Sequence, residues 1–261
     1  MTASDPRRRL RDYVYERWAV IQRSNERFRP CNKLHERLDE LTPREAEWFL
    51  ESVTPHGSER ALFRVEDDNK HRSHRYPPTK SGEQRGSVFF EKSGEKCSLR
   101  LETIVHQAAA WRLHSEFGWP LDYLVVESPD IVAGDQNPPL RREALDILVL
   151  ESACGELHSE MTLAAARSRI GVEAKADRKE LARLIEKMRD CQKNRLDPDD
   201  PRHADDHKKC NGIDVLRPSF FVGIAAGETW RVFPVVERGG HAVFDNEVSV
   251  DRLSWPVAPP G

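Results

Sequence analysis

A chain of 261 residues is long enough for one large α/β domain, or for a domain of about 150 residues with an appendage. With 38% hydrophobic and 33% charged residues, its composition is that of a folded, polar globular protein, and no apolar run nears the roughly 18 residues of a membrane span. The net charge of -3 excludes a global basic excess, five cysteines argue against a disulfide framework, and the opening MTASDPRRRLRDY lacks a signal peptide's apolar stretch, so the cytoplasm is the expected compartment.

In chain order, residues 5–27 alternate acidic and basic side chains around Leu10, Tyr13, Val14, Trp18, Ala19 and Ile21, a spacing that predicts a surface helix. Thr42-Pro43 followed by Glu45 has the form of a capping box and predicts a second helix to about Val53. Residues 65–86 are polar and rich in turn residues, and are expected to form a loop or linker. Ser98 is the expected cap of a helix reaching Phe117, with Leu101, Ile104, Val105, Ala108 and the stem of Arg112 on one face and Gly118 with Pro120 as its stop.

YLVVE (123–127), LDILVLE (145–151) and RIGVEAKA (169–176) read as strands, the first two joined by a loop over SPDIVAGDQNPP. Asp177 caps the next helix, whose Leu181, Leu184, Ile185 and Met188 share one face, with its end near Gln192. Residues 193–212 have the composition of an exposed insertion. SFFVGIAA and TWRVFPVVE, turning at Gly227-Glu228, then predict a hairpin, and Gly239-Gly240 a further short strand. The expected fold is α/β, a central mixed sheet flanked by helices. A mainly helical segment with a basic loop occupies 1–95, and the α/β domain occupies 96–261 with its insertion at 193–212.

Two features carry chemistry. Glu173 and Lys175 lie two apart on a predicted strand, so both leave one face while Val172 and Ala174 leave the other. Asp146 sits within ALDILVL, where an unpaired buried charge is costly and a bound cation is one way to keep it. Metal-assisted phosphodiester hydrolysis requires carboxylates to hold one or two hard divalent cations, and on this strand such a carboxylate converges with an ammonium.

These residues resemble the PD-(D/E)xK nucleases, with Asp146 as the first acid, Glu173-Ala174-Lys175 as the (D/E)xK element, and Glu102 in LETIVHQ as the acid on the preceding helix. The layout is most similar to the N-terminal nuclease domain of type I restriction motor subunits, over roughly residues 98–236. Leu145 stands where the family has its Pro. The resemblance implies a restriction-endonuclease-like fold and Mg2+ (or Mn2+) held by Asp146, Glu173 and the Ala174 carbonyl, with Lys175 positioning or helping to deprotonate a water and Glu102 completing the outer coordination. It further implies hydrolysis of DNA phosphodiesters in restriction or anti-phage defence, leaves RNA open as a substrate, and admits a motor, specificity or other defence subunit as partner. The alternative is a catalytically inactive nuclease-fold module that binds nucleic acid or a partner protein.

Weaker patterns accompany these. Cys191, His203, His207 and Cys210 form C-x11-H-x3-H-x2-C, a non-standard spacing for structural zinc, with a solvated loop as the plainer alternative. Arg72, Arg75, Lys80 and Arg85 make a locally basic loop suited to a phosphate backbone or simply to solvent. His106, one turn beyond Glu102 on the same helical face, is placed to touch the active site, with a plain surface or boundary position on its helix as the commoner alternative.

Overall fold

In the computed structural model, the described residues are 5–24, 34–53, 63–65, 71–73, 90–93, 96–126, 130–132, 145–154, 160–162, 164, 166–194 and 204–256. The branched apolar runs supply the strands of the main sheet: β5 (Leu124–Val126), β7 (Ile147–Leu150), β9 (Ser168–Lys175), β10 (Phe220–Ala225), β11 (Arg231–Arg238) and β12 (His241–Phe244). Short pairs stand outside it, β1 (Phe63–Val65) with β2 (His71–Ser73), β3 (Phe90–Ser93) with β4 (Lys96–Leu99), and β6 (Asp130–Val132) with β8 (Glu160–Thr162). The helices are α1 (Pro6–Ser24), α2 (Leu34–Asp39), α3 (Pro43–Val53), α4 (Leu101–Ser115), α5 (Arg178–Asn194) and α6 (Ala204–Leu216).

The six-stranded sheet runs β12-β11-β10-β9-β7-β5. β5, β7 and β9 form an antiparallel meander, and the chain then crosses through α5 and α6 to lay β10 parallel to β9. β11 and β12 return antiparallel. The sheet is mixed and helices cover it, as the alternation of strand and helix patterns predicts.

Two apolar cores lie on the two faces, as the period of two along each strand requires. Ile170, Val172, Ala174, Val222 and Ile224 join the core of α1, α3 and α4, whereas Leu148, Leu150, Phe221 and Phe233 join that of α5 and α6. Of α4, Leu101, Ile104, Val105, Ala108, Ala109, Trp111 and Leu113 are all buried, so this helix is covered on more than its sheet side. α3 packs against it, and Arg112 places its guanidinium over the rings of Trp48 and Trp230, 4.7 and 4.5 Å from their centroids.

The capping box forms as expected: Glu45 N donates to Thr42 Oγ1 at 3.1 Å and Thr42 N to Glu45 Oε2 at 2.6 Å. The same carboxylate accepts the Gly227 N–H of the β10–β11 turn, tying the start of α3 to the sheet. Gly227 has φ +70 and a Cβ there would lie 2.4 Å from the Glu40 carbonyl oxygen, so this turn requires glycine. At the head of α5, Asp177 Oδ1 accepts from Lys179 N and Glu180 N at 2.8 and 3.0 Å.

Several expectations need correction. α1 is not merely a surface helix, because Leu10, Val14 and Trp18, spaced four apart, are buried in the core it shares with α3. α4 begins at Leu101 with Arg100 at its N-cap and no side-chain cap, since Ser98 lies in β4, paired with Glu91 of β3. The expected loop over 65–86 contains β2, and the one over 128–139 contains β6. Most consequentially, the expected insertion at 193–212 contains most of α6, whose Cys210, Ile213 and Leu216 pack into the core beneath α5.

Candidate active site

β7 and β9 are antiparallel with Ile147 opposite Val172, so one step further Asp146 stands across from Glu173. Directly opposed residues on one sheet face hold their Cβ atoms about 4.5–5.5 Å apart, which brings the two carboxylates together. Asp146 is oriented by the backbone of the neighbouring strand: Ala174 N donates to Asp146 Oδ2 at 2.7 Å.

Lys175 ends β9, where its side chain reaches the first turn of α4. Its Nζ donates to Glu102 Oε1 and to the Ala174 carbonyl, each at 2.6 Å, and lies 3.5 Å from Glu173 Oε2. Glu102, Asp146, Glu173 and Lys175 therefore come together, from three elements that the sequence keeps apart. Ala174 joins through its main chain, giving its N–H to Asp146 and its carbonyl to Lys175.

A fifth residue completes the cluster. Lys209 of α6 donates to Glu173 Oε2. Sequence reading missed it because Asn211-Gly212 and five acids in 193–212 obscure the helical stripe Cys210, Ile213, Leu216 that continues past the glycine. That stripe was the available signal, and following it would have put Lys209 on a packed helix.

Glu173 is the electrostatic centre. Its side chain is 0% exposed and its carboxyl is pushed up to about 7, first by burial and then by the negative charge of Asp146, with Lys209 and Lys175 pulling the other way. Burial alone would lower the Lys175 ammonium, but the charges of Glu173, Asp146 and Glu102 outweigh it and hold Lys175 above the ordinary lysine value. One atom stands out: Glu173 Oε1 is buried with no hydrogen-bond partner. Buried carboxylate oxygens are nearly always satisfied by a donor, a water or an ion.

Two adjacent carboxylates with an unsatisfied buried oxygen fit a small hard cation. Among the described residues no three His, Cys, Asp or Glu gather as a metal-holding group. Mg2+ typically takes one or two carboxylates and fills its remaining positions with water and substrate phosphate, so Asp146 and Glu173 suffice as protein ligands. The soft donors lie elsewhere. Cys191 and Cys210 are buried in the α5–α6 core, neither is in a disulfide, and Cys210 Sγ lies 3.5 Å from the Met188 carbonyl oxygen. His203 and the side chain of His207 lie outside the described residues, so the zinc pattern is left as an expectation.

Other polar residues of these elements fall as follows. His106 is buried on α4, not at a surface position. Gln192 turns to β12, its Oε1 accepting from Phe244 N at 3.1 Å. Arg75, Lys80 and Arg85 lie outside the described residues, as does the side chain of Arg72, which is in β2. On α5, Arg178, Lys179, Arg183 and Lys187 are exposed.

No protein-family model, no curated protein and no solved structure matches the chain.

Proposed function

We propose that the chain is a Mg2+-dependent nuclease of the PD-(D/E)xK type, hydrolysing phosphodiesters at the cluster of Glu102, Asp146, Glu173 and Lys175. The observation that carries this reading is Glu173: an acid with no exposure, one oxygen without a partner, opposite Asp146 and two residues from Lys175 on the same strand. A buried pair of like charges is unfavourable unless a cation or a proton intervenes, and the two lysines leave one oxygen unmet. The order of elements also agrees with the resemblance: α4 with its acid, β7 preceded by Asp146, β9 ending in Glu-Ala-Lys, then α5 and the parallel strand β10.

A divalent cation between Asp146 and Glu173 would supply activation of water and neutralisation of charge on the phosphate oxygens. The chain's own groups do the rest. Ala174 N–H fixes the Asp146 carboxylate in one orientation, so no ordering is needed when substrate arrives. Lys175 is held between Glu102 and the Ala174 carbonyl, with its charge secure at neutral pH. It positions the attacking water and stabilises negative charge as it builds on the phosphate. At the end of β9, the ammonium lies within reach both of Glu173 on its own strand and of Glu102 on α4. Exposed Lys179 and Arg183, one helical turn apart on α5, offer charge to a phosphate backbone, though Glu180 and Glu186 temper it. We take DNA as the substrate and defence against foreign DNA as the role, on the resemblance alone, with RNA as an arm of the test.

A second reading draws on Lys209. With two ammonium groups on Glu173, the cluster also describes a structural ion network in an inactive nuclease-fold module that binds nucleic acid or a partner protein. One assay separates the two. Purified protein is incubated with plasmid DNA, and in parallel with RNA, in Mg2+ or Mn2+ beside Asp146→Ala and Lys175→Ala. Cleavage by the wild type that both substitutions abolish supports the enzyme, and equal nicking by all three defeats the site assignment.

A further inference from the structure

The two ammonium groups on Glu173 differ in how they are held. Lys175 Nζ is shared with Glu102 Oε1 and the Ala174 carbonyl at 2.6 Å each and meets Glu173 Oε2 only at 3.5 Å. Among the described residues, Lys209 Nζ has Glu173 Oε2 as its one hydrogen-bond partner, and its side chain is 30% exposed against 20% for Lys175. One cation is clamped from three sides. The other is moored by a single contact at the end of a flexible four-carbon stem with solvent beside it.

We propose that Lys209 is a tethered counter-ion that occupies the place of the divalent cation on Glu173 and must withdraw before that cation can bind, so that α6 sets the metal affinity of the site. This rests on reading Asp146 and Glu173 as metal ligands. An ammonium and a divalent cation sharing one carboxylate oxygen in a dry site would repel each other strongly, because the surroundings screen poorly. Lys209 is the group able to leave: a lysine head is compact and strongly hydrated, and here its partial exposure gives it a route to water. Lys175 stays, anchored by Glu102 on a different helix. The partnerless Glu173 Oε1 gives an arriving cation a first contact before Oε2 is released. Lys209 thus acts as a positioning residue for the metal, and its role is separate from that of Lys175.

The test is Mn2+ binding to the full chain, read by titration calorimetry or by the loss of the free Mn2+ paramagnetic signal. It compares wild type, Lys209→Met, Lys209→Arg and Asp146→Ala. Lys209→Met should bind Mn2+ about tenfold more tightly than wild type, Lys209→Arg should stay near wild type because the charge is kept, and Asp146→Ala should lose binding. Equal or weaker binding by Lys209→Met, with Asp146→Ala still defective, would overturn the competition and leave the metal site standing. Absence of Mn2+ binding in wild type and Lys209→Met alike would remove both. A second measurement needs no substitution: amine-reactive labelling of wild-type Lys209, followed by peptide mass spectrometry, should rise when Mn2+ is added while Lys175 labelling does not. Unchanged or reduced labelling of Lys209 overturns the proposal.

Discussion

Alternate residues of β9 live in different worlds. Ile170, Val172 and Ala174 enter the apolar core under α4, while Glu173 and Lys175, interleaved with them, build a charged cluster on the other side with Asp146 and Lys209. Val172 and Glu173 are equally buried, both at 0% exposure, so depth does not separate core from site. What separates them is the company each keeps. The apolar residues are surrounded by matching surface, whereas the acid has two ammonium groups, a second acid and one oxygen left over.

The sharpest way to break this contrast is through the charged residues. If the proposed function holds, Lys175→Ala and Asp146→Ala should each lower plasmid cleavage at least about 100-fold with the fold retained by circular dichroism, since on that reading each removes a group acting at the reacting phosphate or its metal. A titration of stability comes next. Glu173 binds its proton more tightly when folded, so between the ordinary value of 4.5 and about 7 the folded state holds a proton that the unfolded chain has lost. Its contribution to stability therefore falls as pH rises through that window, by up to about 3 kcal/mol. Denaturant midpoints of wild type and Glu173→Gln across pH 4.5–8 should show this slope in the wild type and its loss in the variant.

On the core side the reverse pattern is expected. Val172→Ala should cost about 2–3 kcal/mol in urea unfolding and leave cleavage per folded molecule within about twofold of wild type. Gly171→Ala tests the boundary between the two. A Cβ there would lie 2.1 Å from Leu145 Cδ1, next to Asp146, so the leucine must move; a loss of about 1–2 kcal/mol accompanied by weakened cleavage is the expected outcome. The smallest effect is a gain. Gly212 lies inside α6, and a Cβ added there would meet nothing within 4 Å, so Gly212→Ala should raise stability by about 0.5–1 kcal/mol in the same unfolding assay.

How much of this could be read from the residues follows from where each piece of information resides. β7 and β9 were legible because branched apolar runs specify strands locally, and the Glu173/Lys175 face follows from a period of two. α3 and α5 were legible through their caps, Thr42 with Glu45 and Asp177, and the β10–β11 hairpin through Gly227. The burial of α1 was not, because its stripe of Leu10, Val14 and Trp18 lies among charges and its partner α3 lies elsewhere in the chain. The pairing of β4 with β3 was hidden for a related reason: Ser98 has the chemistry of a cap, and only a partner strand makes it a strand residue. In the site, Glu102, Asp146, Glu173 and Lys175 came from pattern and resemblance. Lys209 required knowing that α6, packed on α5, brings its side chain to Glu173 of β9, which no local pattern states.

The cluster's members are scattered over the chain, at 102, 146, 173, 175 and 209, and they meet only because α4, β7, β9 and α6 close over long stretches of sequence. Such contacts form late, after the entropy of closing those loops has been overcome. A polypeptide emerging from synthesis therefore carries the charged residues without the arrangement that joins them, and one truncated before α6 lacks Lys209 altogether. Assembly of the cluster is a readout of complete folding, which ties any activity at this site to the finished molecule.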